Sequence, residues 1–199
     1  MLYFLCKIQC IILHLTILIT INCKPMPHAH FQLPLSNELV ELRALQVGDF
    51  EALYEVASDP LIWEQHPNPN RYQRPVFEIF FEAALASKGA YLVVDKTTGA
   101  VAGSTRFYDF DEQLNRVFIG YTFIGRNFWG KGLNPSMKNL MLQHAFELVP
   151  EVYFHVGENN RRSQIAMERL GAIALRKVEV AYHGEPSRIN IEYLIKKEG

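Results

Sequence analysis

One stretch narrows the fold more than any other. In Asn127-Phe128-Trp129-Gly130-Lys131-Gly132-Leu133-Asn134-Pro135, an apolar strand gives way to a helix. Gly130 and Gly132 let the backbone turn sharply with no Cβ in the way. Asn134 reads as an N-cap, and Pro135 suits the first helical turn, where its missing N–H costs nothing. The helix that follows sets Met137, Leu140, Met141, Ala145 and Leu148 on one apolar side. Unpaired N–H groups therefore converge at a helix start directly after a strand, an arrangement that favours phosphate. A tight turn with no ligand explains the two glycines equally well. The dinucleotide pattern G-x-G-x-x-G after a first strand and the nucleoside-triphosphate loop G-K-[ST] are both missing.

Around this turn the apolar periodicity sorts into elements. Residues 39–45 alternate like a strand, and Asp49 precedes a helical run containing Phe50, Leu53, Tyr54 and Ala57. Prolines and asparagines make 59–74 a loop, followed by a helix over 75–87. Strands are expected at 90–94, 101–108 and 116–124, joined by turns at Lys96-Thr97-Thr98-Gly99 and around 109–115. A helix over 135–148, a strand over 152–156, a helix over 163–170 and strands near 173–181 and 188–195 complete the chain. A strand meander that later alternates with helices predicts an α/β class with a mixed, largely antiparallel sheet of six to seven strands and about four helices.

The composition leaves few alternatives. The chain has 199 residues, 49% of them apolar, and a formal net charge of -1. That suits one domain with a substantial core. No basic stripe suggests nucleic acid as a partner. Cys6, Cys10 and Cys23 all lie near the start, so the rest has no disulfide framework, no cysteine metal site and no cysteine nucleophile. No metal site is expected. Residues 1–25 are apolar, with Lys7 the one charge before Lys24, and do not match the rest. They read as a signal or membrane anchor, or as the product of a misplaced start ahead of Met26. In the second case the domain is 26–199 and the expected location is cytoplasmic; in the first, residues 1–23 tether it to a membrane.

The run Ile119-Gly120-Tyr121-Thr122-Phe123-Ile124 followed by Trp129-Gly130-Lys131-Gly132-Leu133-Asn134 resembles the acetyl-CoA motif of the GNAT superfamily of N-acetyltransferases. The nearest branch is that of the ribosomal-protein N-terminal acetyltransferases. The family pattern is [QR]-x-x-G-x-[GA]; here Asn127 stands at its first position and the usual small residue near Asn134 is absent. Asn160-Arg161-Arg162-Ser163 with Ala166-Met167-Glu168-Arg169-Leu170-Gly171-Ala172 resembles the family's N-x-x-S…LGA segment, although Asn160 as N-cap and Gly171 as a helix terminator need no ligand. Trp63-Glu64-Gln65-His66-Pro67 with Gly103-Ser104-Thr105-Arg106-Phe107-Tyr108 is similar to one subgroup. The resemblance implies a GNAT fold and acetyl-CoA as co-substrate. It assigns Phe123, Ile124, Trp129, Gly130, Lys131, Gly132, Leu133, Asn134, Asn160 and Ser163 to acetyl-CoA, and Trp63, His66, Arg106, Tyr108 and Tyr121 to the acceptor. It also admits a homodimer.

Direct transfer to a primary amine needs a base, because an alkyl ammonium has a pKa near ~10. His66 is the natural candidate, imidazole titrating near ~6.5; Glu64, Asp109 and Glu112 are others, and His66 also reads as a surface loop residue. Backbone N–H groups of 119–124 can hold the oxyanion. The resemblance implies Ser163 as proton donor to the leaving thiolate and Asn160 as a partner of the pantetheine arm. The acceptor is a protein N-terminus or a small molecule, and a non-catalytic acyl-CoA-binding module is the alternative.

Overall fold

A computed structural model describes residues 18–20, 29–181 and 186–198. Its strands are β1 (Leu18–Thr20), β2 (Leu35–Ser36), β3 (Val40–Ala44), β4 (Ala90–Asp95), β5 (Val101–Asp111), β6 (Arg116–Ile124), β7 (Glu151–Gly157), β8 (Ile173–Ala181) and β9 (Arg188–Lys196). Its helices are α1 (Phe50–Ala57), α2 (Arg74–Ser87), α3 (Leu133–Ala145) and α4 (Arg161–Arg169). All nine strands form one sheet in the order β1-β8-β9-β7-β6-β5-β4-β3-β2. Eight strands thus come from residues after 34, against the six to seven expected. The extra one is β2, two residues folded back on β3, too short for periodicity to reveal. Most pairings are antiparallel; β6–β7 and β1–β8 are parallel. Apart from Leu18–Thr20, the expected leader lies outside the described residues.

Two helix starts differ from the sequence expectation. Asp49 does not cap α1 with its side chain. Its carboxylate instead takes both Arg43 guanidinium donors, at 2.8 and 2.5 Å, and the Gln46 N–H at 2.8 Å. The ion pair outcompetes the cap because three donors, two of them from a cationic guanidinium, converge on it. Helix α3 begins at Leu133, with Gly132 as its N-cap, so Asn134 and Pro135 both lie in the first turn. Gly132 sits at φ +78°, where a side chain would be strained.

Each face of the sheet carries a core. Val40, Leu42, Tyr91, Val93, Phe107, Val117 and Ile119 meet Met137 and Met141 of α3. On the other face Ala90, Leu92 and Phe123 meet Leu53 of α1, Phe77, Phe80 and Phe81 of α2, and Trp63. Strand β6 changes face midway. Ser104 pairs with Phe123 but Arg106 with Gly120, so β6 has one extra residue opposite Thr105. The bulge carries Tyr121 at φ +50°. It inverts the alternation: Ile119 points to α3 before the bulge, and Ile124 does so after it. Phe123 is thereby delivered to the α1–α2 face.

Candidate active site

Parallel strands β6 and β7 are joined by α3, as a parallel pair requires a crossover. They pair only through Arg116–Phe118 and Glu151–Tyr153. From Ile119 and Phe154 onward they part, and a wedge opens between them in mid-sheet. Strand β6 leads from this wedge to the glycine turn, and β7 leads to the start of α4. The two sequence motifs therefore stand at the two edges of one opening.

The motifs also touch. The Arg162 guanidinium lies over the Trp129 ring at 4.1 Å, and the Trp129 indole N–H donates to the Ile124 carbonyl at 2.8 Å. Phe123 and Ile124 are buried, while Lys131 is exposed. Among the described residues, and apart from each glycine's own chain neighbours, nothing lies within 4 Å of where a Cβ would project from Gly130 or Gly132. In the first turn of α3, Pro135 has no N–H and the Ser136 N–H donates to the Gly132 carbonyl at 3.1 Å, which leaves the N–H groups of Leu133 and Asn134 without a backbone partner among the described residues, at the positive end of the helix. The Asn134 Oδ1 is buried with no hydrogen-bond partner among the described residues, an acceptor available to an amide-bearing ligand. Helix α4 differs. Asn160 caps it, accepting the Ser163 N–H at 3.1 Å, and the Arg162 N–H donates to Gln65 at 3.1 Å. Its leading amides are spoken for, so of the two helix starts only that of α3 keeps N–H groups without a backbone partner among the described residues, and the half-buried Ser163 stands at the start of α4.

The loop between α1 and α2 leans onto the same opening. Gln65 reaches Arg162, and Pro67 lies so close to Gly157 that a Cβ there would stand 2.7 Å from its ring. Among the residues expected on the acceptor side, Trp63 is 1% exposed and donates its indole N–H to Ala57 at 2.7 Å. It is part of the floor rather than the lining. His66 packs edge-on against Trp63. Its Nδ1 lies 3.0 Å from the Asn68 N–H and its Nε2 3.3 Å from Arg71. Burial, then the Arg71 charge, hold it well below the usual imidazole range. Arg106 is buried, its guanidinium 4.0 Å from the Tyr121 ring centroid and donating to the Ala83 carbonyl at 3.4 Å. Tyr108 and Tyr121 meet edge to face at 5.0 Å.

Two features escaped the sequence reading. Lys138 on α3 is 4% exposed and donates to Thr122 at 2.6 Å and Thr105 at 3.2 Å. Burial among hydroxyls pulls its pKa down to about 7. Its place on the apolar side of α3 was visible, but only the bulge turns Thr122 toward it. The second is a polar chain on the opposite face. Tyr108 Oη lies 3.3 Å from His155 Nδ1, His155 Nε2 lies 3.4 Å from Glu192, and Arg176 donates to Glu192 at 3.0 Å. An alternating strand gave no signal that His155 and Glu192 would pair. Among the described residues, no group of three or more histidines, cysteines or carboxylates could hold a metal ion. No described helix is long and apolar enough to cross a membrane.

Residues 40–173, more than half of the chain, match the family model for the acetyltransferase (GNAT) domain. The chain belongs to the GNAT acetyltransferases. It is 32% identical over 85 residues to the spermine/spermidine N(1)-acetyltransferase of Bacillus subtilis, covering 42% of this chain and 56% of that protein. The match thus spans little more than half of the length of that curated relative. A GCN5-related N-acetyltransferase from Brucella melitensis shares the fold, with a TM-score of 0.69 at 20% identity over 87% of this chain and 81% of its own. So does the microcin C7 self-immunity acetyltransferase MccE, solved with acetyl-CoA and AMP (TM-score 0.67, 17% identity, 81% and 94% covered). For this GNAT domain, the wedge, the glycine turn and the start of α4 are the parts on which a functional reading rests.

Proposed function

We propose that this protein transfers an acetyl group from acetyl-CoA directly to a primary amine. The observation that carries the reading is the wedge between β6 and β7, with an open, glycine-flanked helix start at one edge and Ser163 at the other. The family supports acetyl-CoA as the co-substrate. The residues fit it: amides of 130–134 suit the pyrophosphate, and Asn134 and Asn160 offer acceptors to the pantetheine amides. Trp129, Lys131 and Leu133 complete that side, with Phe123 and Ile124 beneath.

The amine attacks the thioester carbonyl, a C–N bond forms and the C–S bond breaks. Backbone N–H groups of the parted stretch of β6 suit the oxyanion, because a strand that leaves its neighbour leaves donors unused. The Ser163 hydroxyl protonates the departing thiolate and regains a proton from the new amide nitrogen. Trp63, His66, Arg106, Tyr108 and Tyr121 shape the acceptor side. The acceptor is a small molecule or a protein N-terminus; the polyamine enzyme among the relatives makes spermidine one candidate.

The test is release of free thiol from acetyl-CoA over a panel of spermidine, a short peptide with a free N-terminus and a simple alkylamine. Acceptor-dependent release supports the reading and names the class. Tight acetyl-CoA binding with no release above hydrolysis for any amine would make the protein a non-catalytic acyl-CoA-binding module.

A further inference from the structure

On the α1–α2 face, a polar chain of Tyr108, His155 and Glu192 runs from β5 over β6 to β7 and β9, beside the place where β6 and β7 part, and all three side chains are buried. His155 lies two residues beyond Tyr153, the last residue of β7 that pairs with β6. It is therefore on the parted stretch of β7. Glu192 is its direct partner on β9. Tyr108 stands on β5, two strands away from β7, opposite Phe118. Its hydroxyl reaches His155 by passing over Gly120 of β6. A Cβ on Gly120 would lie 2.8 Å from the Tyr108 ring and 3.3 Å from its hydroxyl. The missing side chain is what allows the bridge.

Every group in the chain is held. The His155 side chain is 1% exposed and that of Glu192 2%. The Phe118 ring lies 4.7 Å from the imidazole, and Tyr121 flanks Tyr108. Among the described residues, the titratable or charged groups around His155 include Tyr108 from β5, Glu192 from β9, Arg176 from β8 through Glu192, and Tyr153 with Arg116 along the β6–β7 edge. The hydrogen bond from His155, then the Arg176 charge, keep the Glu192 carboxyl below its usual range. An ionised Glu192 accepts from His155 Nε2–H, which leaves the Nδ1 lone pair to accept from the Tyr108 hydroxyl. A carboxylate orients the imidazole, and the imidazole in turn receives the Tyr108 hydroxyl, the outermost member of the chain.

We propose that Tyr108 and His155 form the proton-accepting relay for the attacking amine, with Glu192 as the positioning residue that fixes the imidazole. The inference rests on the acetyltransferase reading and supplies its base. The substrate ammonium gives one proton to the Tyr108 oxygen as the Tyr108 proton passes to His155 Nδ1. The neutral amine then forms the C–N bond and the C–S bond breaks. Its second proton goes by Ser163 to the thiolate, and His155 returns its proton to water. The sum is ammonium plus acetyl-CoA giving amide, free thiol and one proton. His66, with its ring nitrogens turned to Asn68 and Arg71, keeps an acceptor-side packing place.

The experiment is kcat against pH for the full chain, with the best amine of the panel, for Tyr108→Phe, His155→Gln and Glu192→Gln. General-base relays contribute about 10²- to 10⁴-fold. Tyr108→Phe and His155→Gln are each expected to lose about 100-fold in kcat near neutral pH and to lose the acid limb of the profile, with acetyl-CoA affinity unchanged. In Glu192→Gln the limb moves to lower pH, because the imidazolium loses its counter-charge. Tyr108→Phe removes one oxygen and keeps the ring, so it carries the test if a His155 variant does not fold. Variants that turn over within about threefold of the unmodified enzyme, with its pH profile, would overturn the relay alone. Absence of turnover in the unmodified protein with every amine would overturn the acetyltransferase reading, and the relay with it.

Discussion

At the scale of single residues, the site depends on small side chains that permit contacts and polar ones that make them. Gly120 is the clearest case. The Tyr108 ring over it is wedged between Phe118 and Tyr121, with centroids 5.3 and 5.0 Å away, so it has little room to retreat. Gly120→Ala should cost about 1–3 kcal/mol in denaturant unfolding, the usual penalty for overpacking, and should lower turnover by displacing the hydroxyl. Ser163→Ala should lower kcat by about 100-fold, the low end for proton transfer, while calorimetry shows the acetyl-CoA dissociation constant little changed. Equal losses in both would make Ser163 a binding group. Ser163 and Gly132 were legible in the sequence because they belong to contiguous motifs. Tyr108, His155 and Glu192 lie on three different strands, and nothing local announces that they meet.

At the scale of elements, most boundaries followed from periodicity, and the exceptions have tertiary causes. Asp49 looked like a cap but answers to Arg43 across the turn. Strand β6 looked regular, and its bulge at Tyr121 became visible only in its register against β5. That bulge decides which side chains face α3, and so creates the setting of Lys138. A lysine drawn down from 10.5 to about 7 is charged over a wider pH range in the unfolded chain than in the folded one. Between those values the unfolded state binds more protons, so stability rises with pH across that window. At about 1.4 kcal/mol per unit, the rise is at most about 4 kcal/mol. Unfolding midpoints should therefore climb from pH 7 to pH 10, and much less steeply in Lys138→Met, which should be the more stable protein at pH 7. A parallel climb in both would show that the ammonium is solvated.

At the scale of the whole molecule, the sheet brings distant segments to one opening. The parting of β6 and β7 separates the edges, α3 closes the crossover between them, and the α1–α2 loop leans in through Gln65 and Pro67. The class of fold and the glycine turn that opens α3 could be anticipated because strand-turn-helix chemistry is written in neighbouring residues. The surroundings of Trp63, His66, Arg106, Tyr108 and Tyr121 could not, because they come from a loop and two strands whose approach depends on packing. Trp63, expected as lining, turned out to be buried floor. All of this rests on the glycine turn holding acetyl-CoA. Calorimetric titration of acetyl-CoA into the full chain, beside Gly132→Glu, tests that most directly. Micromolar binding is expected, and its loss in the variant, where a side chain at strained φ sets a like charge against the pyrophosphate. A folded protein that binds no acetyl-CoA, or a variant that binds as tightly as the unmodified chain, would contradict that role for the turn.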